Sequence, residues 1–194
     1  MSEAPAWRGD IREAFEASVG VREPPGLPDV EWLVRAAVWY AENGLPVFPL
    51  QPGTKLPYPG TRGVLDATTD LDTIGRWWRY RPDSNLGLAT GHGIDVIDFD
   101  GPAAHQAWLE RFPNAQRWGQ CADLFALATV HTPRPGGLHV YVDSTGDGNR
   151  AGLLGKGSGV DYRGLGGYVV APPSHTHAGR YLFIARLDPA TVTR

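Results

Sequence analysis

The chain has 194 residues, with 18 Lys and Arg against 21 Asp and Glu and a formal net charge of −3. That length supports one domain with a substantial core, and so mild a charge excludes a strongly basic nucleic-acid coat while leaving room for a local basic groove. One cysteine, Cys121, excludes a disulfide framework and a cysteine-built zinc site; with no apolar run of about 18 residues and no basic leader followed by an apolar core, a reducing, cytoplasmic setting without a membrane is expected.

Residues 1–27 read as an appendage, partly helical or flexible: "DIREAFEASVG" suits one short helix, and the prolines of "VREPPGLPD" break it. The main domain is expected over 28–188, with 189–194 as a tail or the start of a linker. It opens with a helix in "PDVEWLVRAAVWYAENG", where Asp29 suits the N-cap. Leu33, Ala36, Ala37 and Tyr40 recur at helical spacing, and Gly44 ends the run. "LPVFPL" reads as a strand entering the turn-rich "QPGTKLPYPGTRG". Asp70 is expected to cap a helix that Pro82 stops, with Ile74, Trp77 and Trp78 as core anchors. The arginines of "RWWRYR", Arg76, Arg79 and Arg81, remain available to face nucleic acid.

"NLGLATG" and "GIDVIDFD", joined by Gly-His-Gly, read as a hairpin. A helix follows in "PAAHQAWLERF". "LFALATVHT" with "GGLHVYVDS", and "SGVDYRG" with "GYVVAPPS", read as two further strand pairs, and "GRYLFIA" as a last strand. Helices first and antiparallel strand pairs afterwards indicate an α+β domain with a curved sheet.

The carboxylates of "GIDVIDFD" carry the first chemical signal. Alternate residues of a strand share a face, so Asp98 and Asp100 project together, while Asp95 lies opposite with Ile97 and Phe99. Two neighbouring carboxylates repel unless positive charge sits between them, and Mg²⁺ or Mn²⁺ supplies it with oxygen coordination shared with substrate phosphates. A lone Asp-x-Asp equally suits strand-end aspartates that cap the following helix. Asp161 and Arg163 in "GVDYRG" add a third carboxylate and a guanidinium for phosphate, or else a local surface pair. His139, in a strand after Gly136 and Gly137, is either a packed core histidine or a hydrogen-bond donor to an anionic oxygen. Lys55 and Lys156, in Pro- and Gly-rich loops, are exposed lysines or phosphate or template contacts. His175 and His177 fit a turn better than a metal site, because no third ligand is near in sequence.

Taken in order, "VIDFD", "TPRPGGLHVYV" and "GVDYRGLGGYVVAPPS", with "GLPVFPLQPGTKLPYP" and "RWWRYRPDSNLGLATG" upstream, resemble the motifs of the archaeo-eukaryotic primase superfamily. More narrowly, they resemble the bifunctional primase–polymerase domain of plasmid and phage replication proteins, over residues 30–184. The resemblance implies an α+β primase fold, with an antiparallel sheet like that of RNA-recognition domains packed on an N-terminal αβ unit. It implies a template-dependent nucleotidyltransferase that uses Mg²⁺ or Mn²⁺ held by Asp98, Asp100 and Asp161. His139 would meet the triphosphate, and Arg163 would assist with phosphate. The partners implied are a single-stranded or primed DNA template and dNTP or NTP. No Gly-x-x-x-x-Gly-Lys-Ser/Thr run occurs, so a helicase is expected elsewhere in a longer polypeptide or in trans. One departure stands out: Pro135 occupies the place of a small polar residue before the Gly-Gly pair, and Arg134 is expected to take over its phosphate contact. The competing class is a non-catalytic DNA- or nucleotide-binding replication module of the same fold.

Overall fold

A computed structural model describes residues 11–19, 30–112 and 126–184. The helices α1 (Ile11–Val19), α2 (Val30–Glu42), α3 (Leu71–Tyr80) and α4 (Pro102–Arg111) accompany ten strands. These are β1 (Val47–Leu50), β2 (Asn85–Ala89), β3 (Ile94–Asp100), β4 (Ala126–His131), β5 (Gly137–Asp143), β6 (Val160–Arg163), β7 (Tyr168–Ala171), β8 (His175–Thr176), β9 (Gly179–Arg180) and β10 (Leu182–Ile184). The α+β composition with antiparallel pairing agrees with expectation. The N-cap expected at Asp29 and the 189–194 tail lie outside the described residues.

Strand pairing departs from the local reading. β2 and β3 were expected as a hairpin, and β6 with β7. Instead β2 pairs with β7 in a three-stranded sheet of order β1-β2-β7, and β3 pairs with β6 in a five-stranded sheet of order β10-β4-β5-β3-β6. The two expected hairpins have exchanged partners, so one curved sheet becomes two. The expected β4–β5 pair does form. The chain crosses between sheets at 90–93 and again at 164–167. There Thr90 N–H donates to Gly167 O (3.0 Å) and Thr90 Oγ1 to Gly164 O (2.7 Å). Each crossing satisfies backbone groups that a hairpin would have paired internally.

The five-stranded sheet is covered on both faces. Val96, Val130 and Tyr141 belong to the larger core, with Leu33, Ala37 and Tyr40 of α2 and the small sheet. Phe99, Leu138, Val140 and Val160 pack with Ala104 of α4 in a second cluster. Helix α1, expected as an appendage, joins the main core because Ile11, Phe15 and Val19 recur every four residues along one stripe. The Phe15 ring meets Trp39, Tyr40 and Phe183 at centroid distances of 5.1, 5.6 and 5.1 Å. Asp70 caps α3 by accepting from Thr73 N–H (2.9 Å), and Ile74 and Trp78 are buried beneath it.

Asp95 answers for itself. It is fully buried on the face of Ile97 and Phe99, yet Thr145 N–H (2.7 Å), Ser144 Oγ (3.2 Å) and Tyr162 Oη (2.5 Å) all donate to its carboxylate. A carboxylate so supplied is tolerated in a dry interior. It ties the start of β3 to β6 and to the loop after β5.

Candidate active site

Antiparallel register brings the site together. Asp98 of β3 lies directly opposite His139 of β5 on one side and Asp161 of β6 on the other. Directly opposed residues of neighbouring antiparallel strands share a face, so three distant segments set His139, Asp98 and Asp161 in one row across the sheet. The strand alternation seen in "VIDFD" and "GVDYR" does the rest, placing Arg163 beside the row. Its Nη2 lies 2.8 Å from Asp161 Oδ2 and 3.4 Å from Asp98 Oδ2. The positive charge that two facing carboxylates demand is thus present within the chain as a guanidinium. The second oxygen of Asp161 accepts from Gly152 N–H (2.7 Å).

Asp100 is only partly drawn in. It is exposed at the end of β3, and its Oδ1 pairs with Arg134 Nη1 at 2.8 Å. Among the described residues, no group of three or more His, Cys, Asp or Glu side chains is arranged to hold a metal ion. The donors nonetheless fit a hard divalent cation in kind, and two of them, Asp98 and Asp161, in placement. Asp100 is turned instead to Arg134.

A cavity of about 310 Å³ opens over the Asp98 and His139 part of the row. Asp98, His139 and Arg163 line it, together with Lys55, Asn149, Tyr168 and Tyr181. Lys55 reaches it from the loop after β1, with Nζ 6.0 Å from the Tyr181 ring centre. Lys156 stands exposed in the loop before β6 and does not line the cavity. His175 and His177 fall on the small β8–β9 hairpin and the turn that closes it.

The sequence reading missed Asn149, Tyr168 and Tyr181. Tyr168 Oη donates to Lys55 O (3.0 Å), and Asn149 Oδ1 accepts from Gly164 N–H (3.1 Å). Tyr168 lies within "GVDYRGLGGYVVAPPS" but was not singled out there, and Asn149 belongs to no motif. Tyr181 did have a weak signal, as the one polar-tipped aromatic at the start of "YLFIA".

Burial governs the charges. Desolvation raises the pKa of Asp98 above its ordinary value, and the Arg163 guanidinium only partly offsets it. His139 is pushed down to about 3 by desolvation first, and then by Lys55 and Arg163. Its Nε2 lies 3.7 Å from Asp98 Oδ1, but a neutral imidazole makes no ion pair there. His139 is therefore neutral near pH 7, and its buried Nδ1 has no partner among the described residues.

A pH effect on stability follows. The unfolded chain binds a proton at His139 below about 6.5, whereas the folded chain resists until about 3. Stability present above pH 6.5 is therefore lost as pH falls through that window, at up to ~1.4 kcal/mol per pH unit from this group. Denaturant unfolding from pH 7 to pH 4 is expected to show a shallower decline in His139→Gln than in wild type. Parallel curves would show that His139 does not contribute.

A search of curated proteins returns no match. A family model for the bifunctional DNA primase/polymerase N-terminal domain, Prim-Pol, does match residues 37–193. That span takes in every residue of the row, both sheets and the cavity, and the chain belongs to this family.

Proposed function

We propose that the chain is a DNA-templated nucleotidyltransferase, joining a nucleoside triphosphate to a primer 3′-hydroxyl in plasmid or phage replication. The observation that carries this reading is the cross-strand row of Asp98, Asp161 and His139, with Asp98 and His139 lining one cavity together with Arg163 and Lys55. The fold, with its antiparallel five-stranded sheet carrying the row, is read as the primase variant of an RNA-recognition sheet. The main catalytic unit is read over 28–188, to which α1 adds core residues.

Asp98 and Asp161, joined by Asp100 once it is freed, would hold Mg²⁺ or Mn²⁺. Such a cation acidifies an attacking hydroxyl and neutralises a leaving pyrophosphate. The chain's own groups do the positioning. Lys55 and Arg163 place positive charge where a triphosphate enters. Neutral His139 offers an N–H to a phosphate oxygen without adding charge. Arg163 also keeps the Asp98–Asp161 pair from repelling before substrate arrives. DNA is held mainly through its backbone, since any template sequence must be accepted.

One observation favours the non-catalytic alternative: Asp100 and both oxygens of Asp161 are already engaged within the chain. Primer extension decides between the two. Elongation of a labelled primer on a template with dNTPs and Mg²⁺ or Mn²⁺ supports the enzyme; binding without elongation supports the module. Omitting the primer then tests initiation.

Arg134 has two readings here, as a phosphate contact in place of the residue that Pro135 displaced and as the partner of Asp100. Arg134→Ala is expected to raise the apparent KM for nucleotide roughly fivefold, the equivalent of about 1 kcal/mol. An unchanged KM with altered kcat would assign Arg134 to holding Asp100 alone.

A further inference from the structure

Helix α3 buries Ile74 and Trp78 and turns Arg76, Arg79 and Tyr80 to the opposite side, where all three are exposed. Tyr80 is 82 % exposed, the most open large apolar side chain among the described residues. The Arg81 guanidinium, next in the chain, lies 3.8 Å from the centre of the Tyr58 ring and 5.8 Å from that of Tyr80. Aromatic, guanidinium and aromatic therefore stand in series at the surface.

The series is held from below. Ser84, fully buried, shares a hydrogen bond with Tyr58 Oη (2.9 Å), donates to Arg81 O (2.8 Å), and its carbonyl accepts from Trp78 Nε1 (3.2 Å). Tyr58 and Arg81 are thus set in place before any partner arrives. Tyr58 is three residues from Lys55, a chain distance of at most about 11 Å, and Lys55 lines the cavity over Asp98. Tyr58 therefore shares a loop with a cavity residue, and Arg81 and Tyr80 join it from the end of α3.

We propose that the Tyr58–Arg81–Tyr80 stack and the outer face of α3 form a platform for single-stranded DNA, on which unpaired template bases stack beside the cavity. The proposal rests on the polymerase reading for the identity of the strand as template. Ring and guanidinium planes accept any base by its π-face, and a surface that must not choose sequence needs that property. Arg76, Arg79 and Arg81 supply charge for phosphates. Of the acids on the same stretch, Asp66 is engaged by Arg62 and Asp70 by the helix it caps, leaving Asp72 and Asp83 as local opposition. Those two acids partly offset the arginines, so on this face stacking supplements the backbone contacts.

The test is fluorescence anisotropy of a labelled oligothymidylate longer than a site of ~16 nucleotides, titrated with the full chain at several salt concentrations. Tyr80→Ala is expected to weaken binding about fivefold or more, the loss of one stacked base, while Tyr80→Trp preserves it. Arg79→Ala is expected to lower the salt slope by about 0.7. Wild-type affinity in Tyr80→Ala, or no binding by wild type, overturns the platform. Primer extension by the same preparations separates this from the polymerase reading. Extension with unchanged DNA affinity in Tyr80→Ala sinks the platform alone. Loss of DNA affinity in a chain whose wild type does not extend sinks the polymerase reading and leaves the platform standing.

Discussion

Asp98→Asn is expected to lower templated nucleotide incorporation by on the order of 10³-fold while its melting temperature stays at or above that of wild type. Asp98 is the middle of the row, the one carboxylate that faces both His139 and Asp161 across ladder pairs. Of the other carboxylates on β3, Asp100 is held by Arg134 and Asp95 is on the far face. The stability half of the expectation comes from the sign of its pKa shift. Burial raises that pKa in the folded chain, so at neutral pH the ionised carboxylate is less at ease folded than unfolded. Its charge therefore opposes folding above the raised pKa, and the opposition fades as pH falls through it. Asn keeps the shape and removes the charge, and Arg163 retains Asp161 as its partner at 2.8 Å. Steady-state incorporation with Mg²⁺ and with Mn²⁺ tests the first half. Thermal unfolding at pH 7 and at pH 4 tests the second, with the gap between the proteins closing at the lower pH. A variant that still incorporates nucleotides would move the chemistry away from this row. A variant that melts well below wild type at pH 7 would mean Arg163 outweighs desolvation.

Some of this site was legible before any coordinates. Period-two alternation put Asp98 and Asp100 on one face and Asp161 with Arg163 on another strand, and motif order tied them to one family. What alternation does not contain is which strands are neighbours. Gly-His-Gly at 91–93 and Gly-Leu-Gly-Gly at 164–167 have the composition of hairpin turns, and nothing local distinguishes a turn from a crossing between sheets. The distinction is made by long-range hydrogen bonds from Thr90 to Gly164 and Gly167. The engagement of Asp100 by Arg134 was equally hidden, because a strand's last residue is free of the pleat and its side chain answers to whatever the next loop presents. Asn149 and Tyr168 reach the cavity through tertiary placement alone. The core was more readable: Leu33, Ala36, Ala37 and Tyr40 are all buried as the helical spacing requires. The stripe on α1 belonged to the same pattern, but proline-rich sequence after it suggested separation where packing prevails.

The exchange of strand partners is also where the fold is most exposed to a single methyl group. Had β2 paired with β3 and β6 with β7, Asp98 and Asp161 would sit in different ladders and the row would not exist. Gly91 stands at the first crossing with φ +86°, and a Cβ there would lie 2.4 Å from Leu165 Cα and 2.8 Å from Leu165 N, atoms of the second crossing's backbone. Gly146 offers a control, with φ +83° but nothing within 4 Å of its would-be Cβ. Gly146→Ala should incur only the left-handed backbone penalty of about 1–2 kcal/mol. Gly91→Ala adds a collision that no side-chain rotation relieves, for a total of about 3 kcal/mol or more. In a chain of this size that is a fall in melting temperature of about 6–12 °C. Whatever Gly91→Ala protein remains folded must part the crossings, and Gly164, which is bonded to Thr90, adjoins Arg163. Incorporation should therefore fall further than the folded fraction does, whereas Gly146→Ala loses activity only in proportion to folding. Equal melting temperatures for the two variants would show that the crossings yield without strain, and the contact between them would then not be what holds Asp98 opposite Asp161.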